Sequence, residues 1–237
     1  MTTHAIYELF EPLLRGVAQL IVSDRDVRDL EPFWETIRTR GITRLLIVPS
    51  VLRASLDMPG FTAASLDVLV LMGEHVPPQL AARAIEAFPA RTRIFSIYGS
   101  TEASSTLVCD IRASLRPGQE LPLGQPISPD VQALVLDDAG ELVQPGEFGT
   151  LHISGTALFS SYFRAPEQTA EAFSAKRTAG PALFCTQDQV RVMPDDRLQF
   201  VGRIDDTVKI RGFRVDLKEV ERAVQEHPEV CQCTVLR

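Results

Sequence analysis

The sequence SIYGSTE, residues 96–102, ends an apolar run at a glycine and then presents two hydroxyls and a carboxylate. Serine and threonine hydroxyls can donate to phosphate oxygens, and a glutamate carboxylate is the kind of oxygen ligand that Mg²⁺ takes. Tyr98 adds an aromatic face against which a flat ring can stack. Alone, the stretch equally fits a polar turn after a strand, so its interpretation depends on the segments around it.

Strands and helices alternate before this stretch. Apolar runs predict strands over residues 18–22, 42–48, 66–72 and 94–98. Helical spacing of apolar side chains predicts intervening helices over 24–40, 51–56 and 78–88. This alternation is typical of an α/β fold with a mostly parallel sheet, where ligands bind beyond the carboxyl ends of strands. Gly73-Glu74 and residues 99–102 both follow such ends.

The sequence pattern changes after about residue 120. Short alternating runs at 131–136 and 150–153 are separated by prolines and glycines, and Asp138–Glu141 has the composition of a hairpin turn. We expect an antiparallel β subdomain there, followed by the start of a small α+β C-terminal domain. The predicted division is 1–120, 121–204 and 205–237.

Composition narrows the function classes. The net charge of −7 argues against a nucleic-acid partner. No apolar run approaches the length of a membrane span, and the first residues lack the pattern of a signal peptide. Four cysteines without a C-x-x-C pair indicate neither a zinc site nor a disulfide framework. We therefore expect a cytoplasmic protein with no membrane partner.

A series of motifs resembles the adenylate-forming (AMP-binding) enzymes, and among them the amino-acid adenylation domains of nonribosomal peptide synthetases. The matching segments cover nearly the whole chain in the family's order: residues 7–16, 48–50, 73–74, 98–102, 149–155, 162–163, 186–188, 202–215 and 219–221. The run GRIDDTVKIRGFRV at 202–215 is long enough to be specific by itself.

This resemblance implies a reaction. Such enzymes activate a carboxylic acid with ATP as an acyl-adenylate, release pyrophosphate, and pass the acyl group to a thiol, usually that of a phosphopantetheine arm. The implied small molecules are therefore ATP, Mg²⁺ and a small carboxylic or amino acid. The implied macromolecular partner is a carrier protein or a complementary synthetase chain.

The resemblance also assigns roles to residues. Thr101 would contact the α-phosphate and Glu102 would hold the Mg²⁺, which makes them the catalytic pair. The nucleotide-contacting residues that it implies are Gly73, Glu74, Ser96, Tyr98, Gly99, Asp188 and Arg203. Tyr98 would lie against the adenine and Asp188 would bind the ribose hydroxyls, assisted by Arg203. Asp205 falls at the family's hinge between large and small domains.

The implied substrate pocket is mixed and largely apolar. Its candidate lining residues are Tyr7, Val70, Met72, Ile97, Ser105 and Thr106. Where relatives that activate amino acids place an aspartate for the substrate's ammonium group, this chain has Thr3, or His4 with a one-residue shift. A threonine cannot supply that charge, so an acid other than a plain α-amino acid is favoured.

The chain departs from the family pattern in three places. The phosphate loop that ends in lysine and the late catalytic lysine have no counterpart, and the usual Thr-Gly-Asp is Thr186-Gln187-Asp188. We therefore expect a segment of an adenylation domain that is inactive alone. The alternatives are a non-catalytic remnant that binds nucleotide or a partner, and an acyl-CoA ligase-like enzyme. Without the family context, Asp188 would be an ordinary turn residue and Arg203 with Asp205 a surface ion pair.

Overall fold

The structure, a computed structural model, describes residues 10, 12–22, 29–62, 65–173, 182–205, 207–227, 230 and 233–235, without the side chains of 218 and 222. The chain forms two compact units. Unit 1 comprises Met1–Pro129 with Ala157–Phe159, and unit 2 comprises Asp130–Thr156 with Ser160–Arg237.

Unit 1 is an α/β layer structure built on a five-stranded sheet. In chain order its elements are α1 (Leu30–Thr39), β1 (Arg44–Ile47), α2 (Pro49–Leu56), β2 (Val68–Met72), α3 (Pro78–Ala87), β3 (Arg93–Ser100), β4 (Ser104–Asp110), α4 (Ile111–Ser114) and β5 (Gln125–Pro126). Strands β1, β2 and β3 are parallel neighbours, and β4 and β5 add antiparallel pairs at one edge. The predicted mostly parallel sheet with helices is confirmed.

The core of unit 1 lies under one face of this sheet. Leu69 and Leu71 of β2 and Ile94 of β3 are fully buried, and they pack in one cluster with apolar residues of α1, α2 and α3. The aromatic ring of Trp34 in α1 is buried there, and its Nε1 donates to Ser55 Oγ at 2.7 Å. This bond satisfies the indole N–H inside the core, so α1 is fixed both by packing and by a polar contact.

Unit 2 begins with a four-stranded antiparallel sheet. Its strands, in spatial as well as chain order, are β6 (Gln132–Leu136), β7 (Phe148–Ser154), β8 (Phe184–Val192) and β9 (Leu198–Arg203). Helix α5 (Pro166–Ala172) lies between β7 and β8 in the chain. A separate hairpin of β10 (Thr207–Ile210) and β11 (Phe213–Asp216) leads into α6 (Leu217–Gln225). The predicted antiparallel subdomain and the α+β segment after it are confirmed.

One predicted strand is wrong, and the strands β4 and β5 of the unit 1 sheet were not predicted. Residues 17–22 have no regular structure, and Ile21 is 81% exposed. The helix expected over 24–40 is observed as α1, while residues 23–28 lie outside the described residues. Strand β4, which pairs with β3 over most of its length, had no sequence prediction. In the described ranges, no helix combines the length and the hydropathy that a membrane crossing requires.

Candidate functional site

The turn between β3 and β4 in unit 1, residues 101–103, carries Thr101 and Glu102. It is unusually tight, because a Cβ on Gly99 would lie 2.0 Å from the Ser104 carbonyl oxygen. Ser104 itself adopts a left-handed φ of 62°, and Ser100 Oγ accepts from Ala103 N–H at 3.2 Å. Glycine at position 99 is therefore required by the close approach of the two strands and not by its own φ.

This β3–β4 turn exposes a hydroxyl beside a buried carboxylate. Thr101 is exposed, whereas Glu102 is only 7% exposed. The Glu102 carbonyl oxygen accepts from Phe159 N–H at 2.7 Å, which ties the turn to a returning segment of unit 1. Burying a carboxylate is unfavourable unless hydrogen bonds or a cation compensate. The donor set of one buried carboxylate with a neighbouring hydroxyl suits a divalent cation and a phosphate group.

Gly73 and Glu74 follow the carboxyl end of β2, as expected. Gly73 has φ +91°, a left-handed conformation that turns the chain after the strand. Both carboxylate oxygens of Glu74 are engaged by Ser50, with Oε2 accepting from its N–H at 2.8 Å and Oε1 from its hydroxyl at 2.9 Å. The carboxyl ends of β1 and β2 are therefore joined by this side-chain contact.

Ser96 and Tyr98 lie on the β3 face that also carries the buried Ile94. Both are half-buried. The backbone carbonyl of Tyr98 accepts from Thr106 Oγ1 at 3.2 Å. The alternation of side chains along a strand therefore puts the two predicted adenine contacts on one face of the sheet.

The predicted pocket residues fall mainly on the opposite face. Met72 faces Ile97 directly across the β2–β3 pair, and Val70 stands two positions before Met72 on the same face. Ser105 is paired with Gly99 at the β3–β4 turn. Thr106 is 1% exposed, with its hydroxyl bound to the Tyr98 backbone. Tyr7, like Thr3 and His4, lies outside the described residues.

In unit 2, the segment Thr186–Asp188 forms a bulge in β8. Thr150 of β7 faces Gln189 and His152 faces Cys185, so these three β8 residues oppose Leu151 alone. Gln187 takes the left-handed φ of +62°, and its side-chain Nε2 donates to Cys185 Sγ at 3.3 Å. A bulge re-aims the side chains that follow it, and this one sets the direction of Asp188.

Arg203 joins Asp188 to Asp205. Its Nη1 donates to Asp188 Oδ1, and its Nε and Nη2 donate to the two oxygens of Asp205, each at 2.6 Å. The side chains of Asp188, Arg203 and Asp205 are 9%, 15% and 28% exposed, so this is not a surface ion pair. Asp205 sits between β9 and the β10–β11 hairpin, and Thr207 N–H also donates to its Oδ1.

The electrostatics of this cluster favour an ionised Asp205. Burial alone would raise the pKa of its carboxyl, but the hydrogen bond and positive charge of Arg203 outweigh burial, and the pKa lies below its ordinary value. An ionised carboxylate accepts hydrogen bonds and donates none, so the Asp188 side chain has the acceptor chemistry that a pair of sugar hydroxyls requires. The residues present therefore fit a ribose.

The predicted residues that the structure describes fall into two groups, one in each unit. Those of unit 1 surround the β3–β4 turn and the carboxyl ends of β2 and β3, and those of unit 2 form the Asp188–Arg203–Asp205 cluster. Sequence reasoning gave no role to Ser50 or to the hydroxyl of Thr186. Both lie inside segments that match the family, next to Pro49 and before Asp188, and that position was the only available signal.

Comparison with known proteins identifies the protein family. A family model described as "AMP-binding enzyme" matches residues 2–163. Since this match spans more than half of the sequence, the chain belongs to the AMP-binding enzyme family. The resemblance that the motifs carried is thereby confirmed.

The relatives narrow that family to synthetase-type adenylation domains. A linear gramicidin synthase of Brevibacillus parabrevis is 35% identical over 98% of this chain and 3% of its own length. The L-proline--[L-prolyl-carrier protein] ligase of Streptomyces coelicolor is 36% identical over 97% of this chain and 43% of its own. The structure of PA1221, an NRPS protein containing adenylation and PCP domains, shares the fold with a TM-score of 0.85 at 24% identity, over 99% of this chain and 48% of that one. The chain thus spans less than half the length of each.

Proposed function

We propose that this chain contributes to an ATP-dependent adenylation site that activates a carboxylic or amino acid and delivers it to the thiol of a carrier protein. The observation that carries the proposal is the β3–β4 turn of an AMP-binding family member, with an exposed Thr101 hydroxyl beside the buried Glu102 carboxylate. The Asp188–Arg203 pair supports it independently from unit 2.

The proposed reaction has two steps. An oxygen of the substrate carboxylate attacks the α-phosphorus of ATP, the bond from that phosphorus to the bridging oxygen breaks, and pyrophosphate leaves. The carrier thiolate then attacks the acyl carbon, and AMP leaves with the oxygen through which it was attached. The first step brings two anions together, so it requires positive charge and hydrogen-bond donors around the phosphates.

The residues of unit 1 would bind the phosphates and the adenine of ATP. Thr101 would donate its hydroxyl to an α-phosphate oxygen, and Glu102 would hold Mg²⁺. When bound, Mg²⁺ supplies the positive charge that neutralises the phosphates. Tyr98 would stack against the adenine while Gly73 and Gly99 allow the backbone to approach the nucleotide closely. Ser96 and Glu74 would complete this lining, with Glu74 held in place by Ser50.

The residues of unit 2 would bind the ribose of ATP. The Asp188 carboxylate would accept hydrogen bonds from the ribose hydroxyls, and Arg203 would orient it. Asp205, between β9 and the hairpin, would act as the hinge at which the following segment reorients. Its contact with Arg203 joins the sugar site to that hinge.

The remaining residues favour one class of acid, and the relatives support one class of acceptor. Val70, Met72 and Ile97 give one sheet face an apolar character, with Ser105 and Thr106 near its end. That composition favours an acid whose acyl group is largely apolar. A carrier protein bearing phosphopantetheine is supported by the name of the Streptomyces ligase and by the PCP domains of PA1221.

Calorimetric titration with Mg·ATP tests the proposal. Wild type should bind, and Glu102→Gln should abolish binding because the amide lacks the charge that holds the metal. Glu86→Gln on α3 is the matched control, since Glu86 is an exposed glutamate of the same unit. Unchanged binding by Glu102→Gln would remove the metal role.

ATP–pyrophosphate exchange over a panel of acids tests the reaction itself. We expect no exchange by these 237 residues alone, because they span only 43% of the length of the Streptomyces ligase. Exchange by the isolated chain would contradict that expectation and would identify the acid directly.

A further inference from the structure

The hydroxyl of Thr186 makes two contacts inside the β8 bulge. Its Oγ1 donates to the Leu151 carbonyl oxygen at 2.8 Å and accepts from the Asp188 N–H at 3.1 Å. Thr186 is 6% exposed and Leu151 is fully buried, so water cannot easily replace either bond. One buried hydroxyl therefore supplies partners for a carbonyl and an amide at the point where the β7–β8 ladder is interrupted.

These contacts fix the backbone of Asp188, the residue whose side chain extends from the bulge. A bulge of this kind leaves backbone groups without their ladder partners, and unsatisfied buried groups are unfavourable. By holding both Leu151 and Asp188, Thr186 ties the end of the bulge to β7 and sets the backbone from which the Asp188 side chain extends. Arg203 then contacts that carboxylate from β9.

We infer that Thr186 is a positioning residue for sugar recognition, because its hydroxyl binds the Asp188 amide and so sets the backbone from which the Asp188 carboxylate selects ribose over deoxyribose. The inference rests on the proposed nucleotide site and deepens it. Thr186 does not touch the nucleotide; it acts through Asp188.

Unit 1 offers a matched control. Thr92 is fully buried and its Oγ1 donates to the Leu66 carbonyl oxygen at 2.7 Å. Thr92→Val and Thr186→Val therefore each remove a buried hydroxyl that donates to a main-chain carbonyl. Only the Thr186 hydroxyl also accepts from the Asp188 amide, so a difference between the variants reports on that link.

The test is calorimetric binding of Mg·ATP and of its 2′-deoxy and 3′-deoxy analogues. A site built to hydrogen-bond a hydroxyl rejects the analogue that lacks it, so wild type should prefer ATP by about tenfold or more. Thr186→Val should reduce this preference to within about twofold of one. Thr186→Ser, which keeps the hydroxyl, and Thr92→Val should both retain it.

Two results would overturn the inference. The first is an unchanged ribose preference in Thr186→Val. The second comes from hydrogen exchange: the Asp188 amide should exchange faster in Thr186→Val than in wild type or Thr92→Val, and equal rates would refute the link. If wild type binds no ATP, the proposed function fails, and the exchange of the Asp188 amide still decides whether Thr186 holds the bulge.

Discussion

The β3–β4 turn of unit 1 and the β8 bulge of unit 2 are both interruptions of a sheet, but they are stabilised by different means. The turn depends on packing: Gly99 lies so close to Ser104 that no side chain fits. The bulge depends on polar contacts: Thr186 and Arg203 hold its backbone and its carboxylate. The turn should therefore be sensitive to added volume, and the bulge to lost hydrogen bonds and charge.

The largest expected effect is in the polar cluster. Arg203→Met should destabilise unit 2 by about 3–5 kcal/mol, because it removes the guanidinium from the buried Asp188 carboxylate and leaves Asp205 with the longer 3.7 Å contact to Arg214. The measurement is the free energy of unfolding in urea. Arg197→Met is the control, since Arg197 contacts the exposed Asp195 at 2.6 Å and should cost at most about 1 kcal/mol. Equal losses would mean that the Arg203 cluster contributes no more than a surface pair.

The second-largest effect is expected in the β3–β4 turn. Gly99→Ala forces a methyl group against backbone and should destabilise unit 1 by about 1–3 kcal/mol or more, measured in the same way. Gly202→Ala on β9 is the matched control, because a Cβ there meets no atom within 4 Å in the described part of the chain. A tolerated Gly99→Ala would show that the turn relaxes, and the contrast with the bulge would fail.

A smaller effect of opposite sign is expected at Gln187. Gln187→Gly relieves a left-handed φ that glycine adopts freely, and it should raise the stability of unit 2 by about 0.5 kcal/mol. Gln189→Gly, two positions along β8 in strand conformation, should lower stability because glycine weakens a strand. Thermal unfolding of the two variants provides the measurement. Destabilisation by Gln187→Gly would show that its contact with Cys185 outweighs the strain.

The smallest expected effect is a dependence on pH at His152 of β7. Burial lowers the pKa of this imidazole, only partly offset by its Nδ1–H bond to the Thr150 carbonyl. The unfolded state therefore binds the proton more readily, so stability is complete above about pH 6.5 and falls as the pH drops below it. His152→Gln should flatten this fall in urea unfolding between pH 7.5 and 5.5. Equal slopes in wild type and His152→Gln would contradict this expectation.

Much of the fold could be predicted from local patterns. The apolar runs that became β1, β2 and β3 and the spacing of Phe33, Trp34 and Ile37 in α1 are properties of single segments. The run at 18–22 has a similar composition, yet Leu20 and Ile21 are exposed, because composition does not say whether a segment finds a sheet to join. Strand β4 was missed since it is defined by its pairing with β3.

In the candidate site, too, the residues could be predicted from single segments but their contacts could not. The motifs gave Thr101, Glu102, Asp188 and Arg203 as residues with an expected role. They could not give the partners of those residues, because such contacts depend on register. The Thr186 contact with Leu151 exists only because three residues of β8 oppose one of β7. The contact between Ser50 and Glu74 joins residues from the ends of two different strands.

That last contact has a consequence for where a negatively charged group can bind. The N-terminus of a helix carries the positive end of the helix dipole and N–H groups that point outward, and both ordinarily attract anions. Glu74 already places its own carboxylate at the N-terminus of α2, on Ser50. A phosphate would have to displace the Glu74 carboxylate from Ser50, so the N-terminus of α2 disfavours phosphate binding.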